Sequence, residues 1–290
     1  MNTHLSKVLH HLYINPLEKC NLKCKICYTK KTDPILSEKQ IMSFVDRYQL
    51  IYELKMITFC GGEVFALPYF PDLINTLNKR GIFIQTITNG TIDYLDKIEM
   101  PNLNNLIVSI DGLEEYHDSN RGKGNFKKST LFLKKARKLG FHTELFSIVT
   151  KQNFSQIDMF EEYLKKEVGE ISVTYHPRKP PAYLTHHPIS NIEGEVNGFD
   201  YLSADELVEI MTTRNVFPPK DLGCYQIALA SSGIVYGCCE GYRPIGKMED
   251  SIEDLFTALE KRIGGPCLGC SQTEFMCGIK TIIDRVQSKV

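Results

Sequence analysis

Residues 14–29 read I-N-P-L-E-K-C-N-L-K-C-K-I-C-Y-T, with Cys20, Cys24 and Cys27 at C-x3-C-x2-C spacing. Three thiolates on so short a loop can grip one compact metal centre. A structural zinc asks for four ligands. A cubane iron–sulfur cluster held by three thiolates keeps one iron without a protein ligand, open to a small molecule. An apolar run over residues 8–13 precedes the loop, so the expectation is a strand that ends where the cysteines begin.

The same pattern recurs along the chain. Runs rich in Ile, Val, Thr and Phe lie near 55–60, 82–88, 105–110, 143–149 and 171–176. Amphipathic stretches between them predict helices over 37–50, 69–80, 93–100, 126–139 and 154–168, with a sixth over 203–215. Ser37 with Gln40 forms a capping-box pattern. Asp93, Ser155 and Ser203 fall at helix starts, and Gly81, Gly140 and Gly169 at helix ends. Strands alternating with helices imply a parallel sheet with right-handed crossovers. The cysteine loop follows the first strand, Gly61-Gly62-Glu63 the second, Asn89-Gly90 the third and Asp111-Gly112 the fourth. Polar clusters at carboxyl ends of strands are where such folds place their active sites. The fold class expected is α/β: a partial (β/α)6 TIM barrel over residues 1–217. Residues 177–200, rich in Pro, Gly and Asn, read as a loop over its mouth. From 218 to 290 glycines and cysteines crowd together, as in a small metal-stapled module.

Composition narrows the function. The chain has 290 residues, 42% hydrophobic and 24% charged, with a net charge of −1. No basic field points to nucleic acid. No apolar run reaches the length of a membrane span, and the N-terminus lacks a secretory-signal pattern, so a cytoplasmic location is expected. Ten cysteines in short spacings then favour metal binding over disulfides.

The strand-end motifs give the chain a family resemblance. C-x3-C-x2-C with Ile26 before the last cysteine, G-G-E at 61–63 in T-F-C-G-G-E-V-F, and T-N-G at 88–90 resemble the radical S-adenosylmethionine (SAM) enzymes. The resemblance implies that Cys20, Cys24 and Cys27 hold a [4Fe–4S] cluster whose open iron is chelated by SAM. It implies reductive cleavage of SAM and hydrogen-atom abstraction from substrate by the 5′-deoxyadenosyl radical. Gly61, Gly62 and Glu63 would meet the SAM ammonium, Asn89 would lie near SAM, and Ser109 and Arg121 would bind its carboxylate or ribose. Arg suits a carboxylate because of its fork. Read alone, Ser109 is a strand-end residue and Arg121 a solvated loop charge. Cys60, before the G-G-E, reads as a small buried residue.

The remaining cysteines are Cys224, Cys238, Cys239, Cys267, Cys270 and Cys277. A hairpin turn is expected at 231–233. The pattern resembles the twitch module, a shortened SPASM domain, which implies one auxiliary [4Fe–4S] cluster on Cys224, Cys238, Cys267 and Cys270. A zinc ribbon is the alternative, since C-x2-C pairs serve zinc equally well. The F-x-G-G-E-V-F and Cys-Cys pair also resemble radical SAM peptide epimerases, which implies Cys239 as hydrogen-atom donor. Cys238 and Cys239 can exchange roles, and Cys277 is a spare thiol or an alternative ligand. The implied substrate is a ribosomal peptide (epimerised or cross-linked), or else a polar metabolite that is dehydrogenated; the implied electron donor is ferredoxin or flavodoxin. A non-catalytic zinc scaffold is the reading from another class. His10 and His11, adjacent on a strand, point to opposite faces and chelate poorly. His186 and His187 lie in the expected lid loop. His176, Arg178 and Lys179 follow the sixth strand as possible anion contacts or a solvated loop.

Overall fold

The structure is a computed structural model that describes residues 10–178, 196–214, 224–239 and 244–261. Six strands run parallel, each paired with the next in sequence: β1 (His11–Ile14), β2 (Met56–Phe59), β3 (Phe83–Thr88), β4 (Asn104–Ser109), β5 (His142–Val149) and β6 (Ser172–Pro177). On the other side of β1 lies β7 (Cys224–Leu229), also parallel, followed by antiparallel β8 (Ile234–Cys238) and β9 (Pro244–Lys247). The sheet order is β6-β5-β4-β3-β2-β1-β7-β8-β9. This is the expected α/β partial-barrel sheet, lengthened beyond β1 by three strands. Residues 215–223, where the two units were expected to meet, lie outside the described residues.

The helices are α1 (Glu38–Gln49), α2 (Phe70–Lys79), α3 (Glu114–Arg121), α4 (Asn125–Leu139), α5 (Lys151–Phe154), α6 (Ile157–Glu167), α7 (Ala204–Glu209) and α8 (Ile252–Glu260). Ser37 and Gln40 close the capping box of α1, and Ser203 does the same for α7 with Glu206. Two expectations need correction. Residues 93–100 form only a 3-10 turn, Leu95–Lys97; Asp93 Oδ1 caps it by accepting from the Leu95 amide at 3.0 Å, and Pro101 cannot continue a helix. The segment expected as one helix over 154–168 splits. Thr150, not Ser155, carries the capping box, and Gln156 starts the longer piece.

The strands β1 and β3 alternate between wholly and partly buried residues, whereas β4 is buried along nearly its whole length. In β1, Leu12 and Ile14 are wholly buried in the core that includes Ile41, Phe44 and Val45 of α1. His11 and Tyr13 alternate with them and are half-buried. A polar row then crosses five strands: His11 Nε2 meets Thr58 Oγ1 at 2.8 Å, Gln85 donates to Thr58 at 3.2 Å, and Asn105 donates to Gln85 and Glu144 at 3.3 and 3.1 Å. His10 turns the other way, to the Glu53 carbonyl at 2.7 Å, so the two histidines do not form a pair.

The last described helix packs into the same core. Phe256 of α8 meets Tyr52 edge-on at 4.5 Å and Tyr48 at 5.8 Å. Arg47 of α1 donates to the Met248 carbonyl and, at 2.9 Å, to that of Asp250. Among the described residues no helix is long and apolar enough to cross a membrane. Removing the Phe256 ring is expected to cost about 3–5 kcal/mol, as for a fully packed aromatic side chain. Urea unfolding of Phe256→Ala measures this, and a change below about 1 kcal/mol contradicts the packing described.

Candidate active site

Between β1 and α1 the chain makes neither helix nor ladder strand; a bridge between Leu17 and Ile35 closes the loop at its base. Such a loop takes its shape from its neighbours. One neighbour is the turn after β2. The Cys60 amide donates to the Ile14 carbonyl at 3.1 Å, Gly62 to Leu17 at 2.9 Å and Glu63 to Lys19 at 3.1 Å. A Cβ at Gly62 would lie 1.9 Å from the Lys19 carbonyl oxygen, and one at Gly61 2.2 Å from that of Leu17. The two glycines let the turn approach the cysteine loop this closely.

The second neighbour is α3. Asn120 accepts from the Lys25 amide through its carbonyl at 3.1 Å and from the Ile26 amide through Oδ1 at 3.3 Å. It therefore holds the stretch between Cys24 and Cys27. Ile26 is buried with Tyr116 and Phe199. The same Asn120 donates to Asp111 Oδ2 at 2.8 Å. Asp111, at the end of β4, is wholly buried and takes the fork of Arg121 at 2.6 and 2.9 Å. Burial, the largest single influence, would raise its pKa, but the Arg121 charge, the Arg121 hydrogen bonds, His117 and the Ile148 amide together outweigh it and hold the carboxyl below its ordinary value. Arg121 is thus neither a loop residue nor a solvated charge: it ends a helix, and its side chain is 10% exposed. His117, one turn earlier, is pushed down to about 4, chiefly by burial. Its Nδ1 accepts from the Asp111 amide at 3.2 Å.

Glu63 is the other wholly buried acid here. It accepts from the Phe65 amide at 3.1 Å, the Thr88 hydroxyl at 2.8 Å and the Asn89 amide at 2.7 Å. Burial raises its pKa, and these donors offset only part of the rise. Asn89 in turn donates through Nδ2 to Asn21 Oδ1 at 2.9 Å and to Cys20 Sγ at 3.7 Å. The ends of β2 and β3 and the cysteine loop are therefore joined by side chains.

The thiols sit among donors. The Leu22 amide points at Cys20 Sγ at 3.4 Å and the Lys31 ammonium at Cys27 Sγ at 3.3 Å. Burial raises the Cys20 thiol, and pushes Cys24 up to about 11 against the pull of Arg121. Among the described residues no three His, Cys, Asp or Glu side chains converge on one ion-sized point. A cubane takes each thiolate at a different iron, so its ligands stand apart.

Other expected residues fall as follows. Ser109 ends β4, half-buried and in register with Phe146. Cys60 is half-buried rather than buried, and hydrogen-bonds Tyr13. The Tyr13 phenol is raised first by burial and then by the Cys60 and Cys239 thiols. Cys224 and Cys238 are partners across the β7–β8 ladder, and a turn at 231–233 joins those strands. Arg178 is buried, donates to the Phe199 carbonyl and stacks over Tyr201 at 4.4 Å, so it is not a solvated charge. His176 packs on Phe146 at 4.6 Å. Lys179, His186, His187, Cys267, Cys270 and Cys277 lie outside the described residues. The sequence motifs mark Asp111 only as a strand-end polar residue, and His117 and Asn120 not at all. Their signal was present: His117, Asn120 and Arg121 at i, i+3 and i+4 put a polar stripe on one helix face.

The family model of the Radical SAM superfamily matches residues 14–164, just over half of the 290-residue chain. The chain belongs to that superfamily. The Fe-coproporphyrin III synthase of Methanosarcina barkeri is 29% identical over 171 residues, 56% of this chain and 42% of that protein. The antilisterial bacteriocin subtilosin biosynthesis protein AlbA of Bacillus subtilis is 26% identical over 175 residues, 57% of this chain and 39% of that one. The chain thus spans about two fifths of the length of these relatives. Among solved structures, native anSMEcpe with bound AdoMet and Cp18Cys peptide superposes with a TM-score of 0.69 at 19% identity, covering 93% of this chain and 87% of that one. Membership implies a [4Fe–4S] cluster and SAM, and three neighbouring thiols with N–H donors aimed at sulfur form a donor set that fits such a cluster.

Two measurements check this geometry. Gly62→Ala drives a methyl into the Lys19 carbonyl and is expected to lose about 1–3 kcal/mol in urea unfolding; wild-type stability contradicts the contact. His117 titrates near 6.5 unfolded and near 4 folded. In that window the unfolded state binds more protons, so stability falls as pH drops from about 6.5 to 4, by up to about 3 kcal/mol from this residue. His117→Asn should flatten the profile; an unchanged slope shows that the histidine does not titrate this way.

Proposed function

We propose that this chain cleaves SAM at a cluster on Cys20, Cys24 and Cys27 and modifies a peptide. The observation that carries the reading is the meeting of three thiols, the Asn89 amide, the Glu63 carboxylate and the Arg121 guanidinium at the carboxyl ends of adjacent strands. Cys20, Cys24 and Cys27 would hold the cluster, which when bound would supply the one-electron chemistry of SAM cleavage and of hydrogen-atom abstraction from the substrate. The chain's own residues hold and shield. Gly61 and Gly62 seat the cysteine loop. Glu63 and Asn89 present polar atoms toward SAM, with Ser109 beside them, and Arg121 presents its remaining N–H donors to the carboxylate. Ile26, packed with Tyr116 and Phe199, keeps water from the open iron.

In this reading Cys224 and Cys238 join Cys267 and Cys270 on one auxiliary [4Fe–4S] cluster, in a module that begins near residue 218. Cys239, near Tyr13, is the hydrogen-atom donor. A cytoplasmic ferredoxin or flavodoxin supplies the electron. The resemblance to AlbA, named for bacteriocin biosynthesis, favours a peptide over a polar metabolite.

Anaerobic reconstitution tests the reading. The wild type should bind about eight irons per chain and form 5′-deoxyadenosine on reduction; the Cys20→Ala/Cys24→Ala/Cys27→Ala variant should retain about four and form none. Stoichiometric zinc without SAM cleavage contradicts the proposal. Cys239→Ala should leave SAM cleavage intact and change the product; unchanged product stereochemistry removes Cys239 from the donor role.

A further inference from the structure

The sequence marks Asp111 only as the polar end of the fourth strand, yet more of the site converges on it than on any of the residues expected to bind SAM. We propose that Asp111 is a positioning residue that locks Arg121 and the cysteine loop into one unit, so that SAM meets a pre-set guanidinium beside a pre-set cluster. The proposal rests on the reading that Arg121 receives the SAM carboxylate.

The geometry restricts what Asp111 can do. Its Oδ2 accepts from Arg121 Nε at 2.6 Å and Asn120 Nδ2 at 2.8 Å, and its Oδ1 from Arg121 Nη2 at 2.9 Å and the Ile148 amide at 3.1 Å. Four donors fill the four lone-pair directions of a carboxylate, and the residue is 0% exposed. It has no capacity left for a ligand or a metal. Its backbone is also fixed: the amide donates to His117 Nδ1 and the carbonyl accepts from Asn153 Nδ2 at 2.7 Å.

What Asp111 holds is functional on two sides. Arg121 has five N–H donors. Two are spent on Asp111, leaving three, including both on Nη1, directed by a fork that cannot rotate. Asn120, held by the same carboxylate, binds the Lys25 and Ile26 amides between two of the cluster cysteines. One buried anion therefore sets the distance between the cluster loop and the guanidinium. A buried ion pair adds little net stability over apolar packing. Its consequence here is placement, the support that a binding constellation needs from behind.

The test compares Asp111→Asn, Arg121→Gln and the double variant, each reconstituted anaerobically. The readouts are iron content, the EPR spectrum of the reduced cluster titrated with SAM, and kcat and KM for 5′-deoxyadenosine formation. Asp111→Asn should assemble its cluster but need about tenfold more SAM or more, both in KM and in the EPR titration, since a misplaced charge-assisted hydrogen bond is worth about 1.5–3 kcal/mol. Its kcat should stay within about threefold, because the contact is made equally in ground and transition states. Arg121→Gln should match it, and the double variant should be no worse than Arg121→Gln alone. A wild-type KM in Asp111→Asn, a loss of thermal stability without a KM change, or additive effects in the double variant overturns the proposal. If Asp111→Asn does not fold, the double variant, which leaves no unpaired buried charge, carries the test: KM equal to that of Arg121→Gln supports the proposal and a further rise overturns it. A wild-type spectrum indifferent to SAM overturns the cluster assignment and the proposal with it. A wild type that responds, beside an Asp111→Asn protein that responds at the same SAM concentration, overturns the proposal alone.

Discussion

The molecule depends on how an irregular loop is kept in one place. Residues 15–35 have almost no ladder of their own, so their backbone groups must find partners elsewhere. They find them on two sides. The turn after β2 approaches so closely that no side chain fits at Gly62, and Asn120 grips the segment between Cys24 and Cys27 from α3. Each clasp belongs to a strand end, the first to β2 and the second, through Asp111, to β4. The parallel sheet therefore fixes the loop as it fixes its own strands.

The two clasps are backed by two buried acids of different character. Among the described residues Glu63 faces three neutral donors and no cation within hydrogen-bond distance, and burial raises its pKa. Asp111 faces a guanidinium and is held as an anion. A cation arriving beside Glu63 would favour its charged form, so that residue can respond to a ligand with an ammonium group. Asp111 cannot respond, because all its acceptor directions are already occupied. One acid can serve recognition, the other geometry.

Much of this was legible in the sequence. The strand positions, the parallel order and the loops that carry polar residues followed from alternating apolar runs and strand-end glycines. The failures have physical causes. Residues 93–100 carry helical periodicity, but Asp93 caps a tight turn and Pro101 stops propagation. The helix Glu114–Arg121 shows no apolar stripe in the sequence: beside the buried Tyr116, His117 and Asn120 point inward and meet Asp111. A helix whose buried face is mostly hydrogen-bonding groups has no apolar periodicity to reveal it. The G-G pair at 61–62 signals a close approach without naming the group that approaches; the backbone of the cysteine loop is one such group.

In the proposed function the three cysteines of the 20–27 loop keep one iron open to SAM. Electron–nuclear double resonance on the reduced, reconstituted protein with SAM labelled by 15N at the amino group distinguishes this from a closed cluster. A hyperfine coupling from the labelled nitrogen is expected in the wild type and should be lost when the three cysteines are replaced. A cluster that shows no coupling to the bound amino acid group of SAM would contradict it.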